Sequence, residues 1–369
     1  MLDNRLLQAF FLLLRQGLWN RKESTGSLFP LTPEDWKQLY EMAVKQTVQA
    51  IVYDGVRLLD KEHQPPRGML IQWTVTIDHI ERKNKQHLDT LRVLAQYFTH
   101  QAPLPFLLLK GEANGSYYPQ PLHRECGDID LYFYDKSEEA NRRIEALGIP
   151  VHREAYRKGS NNAEYFINGV QVEHRIRYLT LHNPFARRRL KARQNQWLTE
   201  RQPGILDIQG TTVPFLPAEL NQAMQLGHIL KHLLTEGVGM RQCCDLACTL
   251  HGTHTSIDPA YLKQMLKTLG LHRFATVMYD LLEKHFGLPS GSIPFAERRN
   301  SDALLQEILE SGNFGQLDTR NKHSDRYWVQ KGYTIARICS KCYHFLQYAP
   351  GEAIWWPIEL AIANLKGIK

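Results

Sequence analysis

The sequence lacks any apolar run close to the roughly 20 residues that a membrane-spanning helix requires. Its first residues, MLDNRLLQAFFLLLRQGLW, have Asp3 ahead of the basic residues and Arg15 inside the apolar stretch, and no small-residue cleavage site follows. This pattern is typical of an amphipathic helix rather than a secretory signal peptide. We therefore expect a soluble, cytoplasmic protein with no membrane partner.

Cysteine is scarce, with six residues in 369, which excludes a disulfide-stapled framework in a chain of this size. One CxxC is present, Cys339 and Cys342, and no second pair follows that would complete a tetrahedral zinc site. The helical periodicity around them predicts that both thiols lie on a buried helix face. We expect reduced cysteines with a packing role.

Neither sign of charge dominates strongly, because the formal net charge is +7 and 22% of the residues are charged. With 43% hydrophobic residues, this composition is that of a folded protein and excludes extensive disorder. The surplus of basic residues is concentrated in residues 175–201, where eight Lys or Arg residues stand against Glu200 alone. This segment is either a solvated basic helix face or a surface for an anionic ligand.

The pattern of hydrophobic residues changes twice along the chain, which predicts an α+β protein. Residues 1–100 have helical periodicity, residues 101–216 combine short apolar runs with turns, and residues 217–369 return to helices. In the middle region Asn168-Gly169 separates two alternating runs and predicts a tight β-hairpin. We expect a small mixed-sheet core flanked by an N-terminal helical region and a C-terminal helical domain.

The C-terminal region contains a series of helical patterns, several of which stop at a glycine. The predicted helices lie at about 218–236, 240–252, 259–269, 272–286, 302–311 and 325–348. On the first of them His228 and His232 are four residues apart, which suits either zinc binding or partly buried histidines. Arg241 and Asp245 have the same spacing and predict an ion pair within one helix.

The stretch RECGDIDLYFYD carries two aspartates, Asp128 and Asp130, at the start of an apolar run. On a strand they project to the same side, while Ile129 and Leu131 face the opposite, buried side. Two like charges so close together repel each other, and a divalent cation removes the conflict. Hard oxygen ligands at this separation suit Mg²⁺, with Mn²⁺ as an alternative.

A third carboxylate follows in the segment VQVEHRIR. The alternation puts Val170 and Val172 on one face of the strand and Glu173 on the other. If this strand lies beside the one that carries Asp128 and Asp130, three carboxylates meet. Three carboxylates are enough to hold two Mg²⁺ ions for an in-line phosphoryl displacement.

Cationic and glycine residues near the aspartates predict a site for a triphosphate. The apolar run Pro105 to Lys110 reads as a buried strand and leads into Gly111 at the start of a short helix. Backbone N–H groups at a helix start bind anions, and Lys110 adds a point charge there. Arg124, four residues before Asp128, is a second cation at the entrance to the site.

The chain contains the segments LLLKGEANGSYYP, RECGDIDLYF, VEHRIR and HILKHLLTEGVGMRQCCDLA. Together these segments resemble the uncharacterised nucleotidyltransferases of the DNA polymerase β-like superfamily. The resemblance implies a small mixed sheet with helices and transfer of a nucleoside monophosphate from a nucleoside triphosphate, such as ATP, to a hydroxyl. It matches Asp128 and Asp130 to the metal-binding acid pair and Glu173 to the third acid. Where the superfamily usually has Gly-Ser or Gly-Gly, this chain has Lys110-Gly111, so we expect Lys110 to substitute for the serine.

Three functions remain open from the sequence. The first is a Mg²⁺-dependent nucleotidyltransferase. In this function Asp128, Asp130 and Glu173 bind metal, while Lys110, Gly111 and Arg124 hold the nucleotide. These six residues are the predicted site. The second is a catalytically silent binding or regulatory module, such as a toxin–antitoxin-type partner. The third, a two-metal nuclease, fits Lys110-Gly111 less well. The acceptor is open between a small molecule, an RNA end and a protein.

Overall fold

The structure is a computed structural model that describes residues 4–153, 162–312 and 327–365. Within these ranges the chain is mostly helical and contains one mixed β-sheet. The expected α+β class, with a small mixed sheet between helical regions, is confirmed. No helix in the described ranges combines the length and the apolar character needed to cross a membrane.

The α-helices of the described ranges are α1 (Asn4–Trp19), α2 (Pro33–Lys45), α3 (Gln49–Arg57), α4 (Arg67–Gln96), α5 (Glu112–Gly115), α6 (Ser137–Glu145), α7 (Pro184–Glu200), α8 (Ala218–Thr235), α9 (Met240–Thr253), α10 (Pro259–Leu269), α11 (His272–Phe286), α12 (Asp302–Ser311), α13 (Tyr327–Phe345) and α14 (Pro350–Leu365). The strands are β1 (Leu107–Leu108), β2 (Ile129–Tyr132), β3 (His152–Arg153), β4 (Asn162–Ile167), β5 (Val170–Arg175), β6 (Gly204–Ile208) and β7 (Thr211–Phe215).

The order of strands across the sheet is β3-β4-β5-β2-β1-β7-β6. β5 and β2 run parallel, as do β1 and β7, and the other neighbouring pairs are antiparallel. The β4–β5 hairpin turns at Asn168 and Gly169, both with positive φ, as the sequence predicted. This hairpin delivers β5 to the centre of the sheet, beside β2.

Each face of the sheet has its own hydrophobic core. Ile129 and Leu131 of β2 point to one face, where they pack with α4 and α6. On the other face Tyr132 belongs to a larger core that includes helices from both ends of the chain. Because Asp130 shares the orientation of Tyr132, the acidic residues face the side that α8 and α9 cover.

Most predicted elements are present, with different lengths. The predicted strand from Pro105 to Lys110 is ordered as β1 over two residues only, and the helix after Gly111 is a single turn. The five predicted C-terminal helices between 218 and 311 match α8 to α12 within one residue at each end. The last one, predicted for 325–348, begins outside the described residues and is seen as α13, and α14 was not predicted.

The packing prediction for the CxxC is wrong for one of the two residues. Cys342 is buried, whereas Cys339 is exposed. A spacing of three residues turns a side chain by about 300° around the helix, which is enough to move one of the two to the solvent side. All six cysteines are free thiols, as expected.

The predicted domain boundaries, 1–100, 101–216 and 217–369, stay a prediction. The strands of the described ranges all lie between Leu107 and Phe215, within the predicted core region. The helices on either side of that region nevertheless share one hydrophobic core, which runs from Leu6 to Ala353.

Candidate active site

Two neighbouring strands carry the acidic side chains. β2 and β5 run parallel, and their register places Asp130 beside Glu173. Asp128 lies just before β2, and the alternation of strand residues turns it to the same side as Asp130. One carboxylate oxygen from each of the three residues lies within 4.8 Å of the other two. The sheet therefore brings together the three acids that the sequence singled out.

Asp130 is the deepest of the three, with 1% of its surface exposed. Its Oδ2 lies 2.7 Å from Lys110 Nζ, and its Oδ1 accepts a hydrogen bond from Arg175 Nε. Burial by itself raises the pKa of Asp130, but the two cations outweigh burial and hold that pKa below its usual value. Asp130 is therefore ionised at neutral pH, although it is buried.

Glu173 lies at the edge of the group. Its Oε2 is 2.7 Å from Arg175 Nη2 and accepts a hydrogen bond of 3.2 Å from Asn162 Nδ2. Burial raises the pKa of Glu173; Arg175 opposes this shift, and the charges of Asp130 and Asp128 add to it. Glu173 is therefore the acid of the group that holds a proton more readily than an ordinary glutamate does.

The donor set fits a divalent cation. Three carboxylates supply only hard oxygen ligands, the type that Mg²⁺ and Mn²⁺ take in proteins. Asp128 is partly exposed, at 27% of its side chain, so an ion can reach the group from one side. The residues present are thus suited to holding such an ion, with Asp128, Asp130 and Glu173 as its ligands.

A cleft of about 320 Å³ opens beside the acids, between the sheet and helices α8 and α9. Asp128 and Asp130 line it, and so do six cationic side chains: Lys110, Arg124, Arg175, Arg177, Lys231 and Arg241. A concave site with this excess of positive charge favours a polyanionic ligand. The basic lining and the acidic group together suit an anion that is accompanied by a divalent cation.

Lys110 and Gly111 lie at the junction of the cleft and the acids. Lys110 Nζ is 2.7 Å from Asp130 and 3.6 Å from Asp128, so it neutralises carboxylates in the structure. Gly111 has a φ of 64° and a ψ of −116°, a backbone conformation that residues other than glycine rarely adopt. The helix after it, α5, has four residues, so its dipole is small and the predicted anion site there depends on individual N–H groups.

Arg124 is buried and already paired. Its Nη2 and Nε contact the two carboxylate oxygens of Asp245 at 2.7 and 3.0 Å, and Asp245 also accepts a hydrogen bond from Tyr118. The prediction that Asp245 pairs with Arg241 is therefore wrong, because its partner is Arg124. Arg241 instead donates to the backbone oxygen of Glu125. Arg124 still lines the cleft, and its predicted contact with a nucleotide stays a prediction.

Sequence reasoning selected Lys110 and Arg124 and missed the other four cations that line the cleft, which are Arg175, Arg177, Lys231 and Arg241. Arg175 lies two residues after Glu173 on the same strand, so the alternation that selected Glu173 also places Arg175 on the same face. Lys231 lies on α8, three residues after His228, and so points to the same side of that helix. Arg175 could have been found by extending the argument from Glu173 to the next residue on the same strand face, whereas Lys231 reaches the cleft only because α8 lines it.

His228 and His232 line the cleft as well. Their rings are 4.4 Å apart, centroid to centroid. Burial lowers the pKa of His228 well below its usual value, and nearby His232, Lys110 and Lys231 lower it further. His228 is therefore neutral at physiological pH and adds hydrogen-bonding capacity to the cleft without adding charge.

Residues 32–287 match the sequence model of a family described as uncharacterised nucleotidyltransferase, a range that includes the whole sheet and helices α8 to α11. No curated protein matches the chain.

Among solved structures the chain is similar to an antigenic nucleotidyltransferase-like protein from Paracoccidioides brasiliensis. The two sequences are 16% identical, and the TM-score is 0.36. The similarity covers 59% of this chain and 96% of the other.

Proposed function

The chain belongs to the family of uncharacterised nucleotidyltransferases, and we propose that it is a Mg²⁺-dependent enzyme that moves a nucleoside monophosphate group from a nucleoside triphosphate to an acceptor hydroxyl. The observation that carries the proposal is the convergence of three carboxylates beside a cleft lined by cations. Neither feature alone would be specific, because acidic groups and basic clefts are both common.

Asp128, Asp130 and Glu173 are the residues that would hold the metal. Bound Mg²⁺ supplies activation of the acceptor hydroxyl and stabilisation of the leaving oxygen in an in-line displacement. Glu173 would also accept the proton of the acceptor hydroxyl.

Five residues of the cleft would hold the triphosphate. The sequence predicts Lys110, Gly111 and Arg124 for this role. We add Lys231 and Arg241 because they line the same cleft. Burial lowers the pKa of Lys231, and the positive charges of Arg175 and Lys110 lower it further. Anionic phosphate groups would relieve this repulsion, which favours their binding.

Binding of nucleotide and metal tests the proposal. We expect the wild-type protein to bind ATP with an affinity that rises in the presence of Mg²⁺, as measured by isothermal titration calorimetry. The double variant Asp128→Asn/Asp130→Asn should lose the dependence on Mg²⁺. Asp135→Asn is the matched control, because Asp135 is an exposed aspartate just after the same strand. Dependence on Mg²⁺ that persists in the double variant would contradict the proposed metal site.

A second function, a catalytically silent nucleotide-binding module, is favoured by one observation. Lys110 and Arg175 already neutralise the acids through direct contacts. Release of pyrophosphate from a nucleoside triphosphate separates the two functions. An enzyme releases pyrophosphate in the presence of an acceptor, tested as a small metabolite, an RNA with a free 3′ end and a protein, whereas a silent module binds the nucleotide and leaves it intact.

A further inference from the structure

One side chain, Arg175, contacts all three acids of the site. Its Nε donates to Asp130, and its Nη2 lies 2.7 Å from Glu173 Oε2 and 3.7 Å from Asp128 Oδ2. Lys110, in contrast, contacts only the two aspartates. The guanidinium therefore bridges the same carboxylates that we propose as metal ligands.

These contacts compete with a metal ion for the same oxygen atoms. A carboxylate oxygen that accepts a hydrogen bond from a guanidinium has fewer electron pairs free for a metal. In addition, a metal ion a few ångströms from the positively charged Arg175 guanidinium would be repelled by it. With Arg175 in this position the acids are compensated and less available. An ion can use the oxygen atoms that the guanidinium contacts only if the guanidinium moves.

The surroundings of Arg175 allow its side chain to move while its backbone stays in place. The residue pairs with Tyr132 of β2 and Asn162 of β4, and its carbonyl oxygen accepts a hydrogen bond from Ser137 Oγ. The side chain is one-quarter exposed and lines the cleft. A rotation about its own bonds would thus carry the guanidinium from the acids into the space where a polyanion would lie.

We propose that Arg175 is a two-position latch, with one position on Asp128, Asp130 and Glu173 and the other directed towards the phosphates of a bound nucleotide. The inference rests on the proposed function. It adds that metal and nucleotide bind cooperatively, because the nucleotide draws away the cation that competes with the metal. A ligand that favours one of two positions raises the affinity for any second ligand that favours the same position.

The test measures metal binding directly, without turnover. Mn²⁺ is titrated into the wild type, Arg175→Gln and Arg177→Gln, and free Mn²⁺ is followed by its electron paramagnetic resonance signal. Arg177 is the matched control, since it is an exposed arginine of the same cleft that forms no ion pair with the three acids. Without nucleotide, Arg175→Gln should bind Mn²⁺ about 10-fold more tightly than the wild type, a typical size for such coupling. Arg177→Gln should stay near the wild type.

A second titration adds a non-hydrolysable ATP analogue. The analogue should tighten Mn²⁺ binding more in the wild type than in Arg175→Gln, in which no latch remains to be released. If Arg175→Gln does not fold, Arg175→Lys keeps the charge and loses the fork that reaches three carboxylates, so its Mn²⁺ affinity should also exceed that of the wild type.

If the Arg175 variants bind Mn²⁺ as tightly as the wild type or more weakly, the latch is wrong. The proposed transferase function would not be affected, because nucleotide binding and pyrophosphate release test it separately. Absence of Mn²⁺ binding from every protein, with and without the analogue, would overturn both the latch and the metal-dependent function.

Discussion

At the scale of single residues, Asp130 and Asp245 show one way in which this protein buries a carboxylate. Each is almost completely buried and each contacts a guanidinium, from Arg175 and Arg124 respectively. Burial raises the pKa of both acids, and the cations reverse the effect, so both pKa values lie below the usual range. A buried charge is tolerated only with such a partner, because burial alone would favour the neutral acid.

Removal of the Asp245 charge should destabilise the protein strongly. Asp245→Asn leaves Arg124 buried without a counter-ion, and we expect the free energy of unfolding to fall by about 3–5 kcal/mol at neutral pH. Urea denaturation followed by far-UV circular dichroism measures this change. As a control, Asp60→Asn removes an ion pair with Lys22 in which both side chains are more than half exposed, and it should change stability little.

The same variant predicts a pH dependence. The pKa of Asp245 is lower in the folded chain than its usual 3.8, so its stabilising contribution is present above that value and disappears as the pH falls through the folded pKa. The difference in stability between wild type and Asp245→Asn should therefore be constant from neutral pH down to about pH 5 and shrink as the pH falls below about 4. A difference that stays constant to the lowest pH would show that folding does not lower the pKa of Asp245.

At the scale of elements, the site depends on where short segments begin and end. β1 is two residues long and ends at Leu108, two residues before Lys110, and Gly111 then turns the chain into α5. The positive φ of Gly111 makes this turn, and a side chain there would lie 3.6 Å from the backbone oxygen of Asp128. Glycine is therefore required at position 111 by the backbone conformation and not by a lack of space for a side chain.

Replacement of this glycine should loosen the site. Gly111→Ala forces a side chain into a conformation that costs about 1–3 kcal/mol, and we expect the free energy of unfolding to fall by that amount. Gly127→Ala is the control within the same cleft wall, since a side chain at Gly127 meets nothing within 4 Å. Its stability should stay within about 0.5 kcal/mol of the wild type. Equal effects of the two changes in urea denaturation would argue against the strained turn.

At the scale of the whole molecule, helices from both ends of the chain pack together on one side of the sheet. α1 packs on α3 and on α11, and Trp19 Nε1 donates a hydrogen bond of 2.7 Å to the backbone oxygen of Phe286. Gly17 and Gly55 allow α1 and α3 to approach closely, because a side chain at Gly55 would lie 2.0 Å from the backbone oxygen of Leu13. The shared core links regions that the sequence divides into separate domains.

A side chain at this helix crossing should destabilise the protein. Gly55→Ala places a methyl group against backbone that cannot move aside cheaply, and we expect a loss of about 1–3 kcal/mol or more. Gly68→Ala, at the start of α4, meets nothing within 4 Å and should leave stability unchanged or raise it by up to about 1 kcal/mol. Thermal unfolding of the two variants, compared with the wild type, checks the contrast.

The continuous core also predicts how the chain unfolds. Because residues of α1, α8, α11 and α14 belong to one hydrophobic cluster, the helical regions should unfold in a single transition. Tryptophan fluorescence and far-UV circular dichroism should then give coincident urea curves. Two separate transitions would instead support three independent domains with the predicted boundaries.

The sequence by itself determined the features that depend on a few neighbouring residues. The side-chain alternation placed Asp128 and Asp130 on one face with Ile129 buried behind them, and Asn168-Gly169 predicted its turn, because backbone geometry over two to four residues controls both. The family resemblance, now borne out by the match over residues 32–287, led to the proposed reaction class.

Only the tertiary structure decided which of these residues meet. The parallel pairing of Asp130 with Glu173, the contacts of Arg175 with Asp128 and Asp130, and the pair of Arg124 with Asp245 join residues from 43 to 121 positions apart. Such contacts depend on the order of strands in the sheet and on the helices that cover it. No local pattern encodes that order, because the free energy that selects it comes from packing the whole chain.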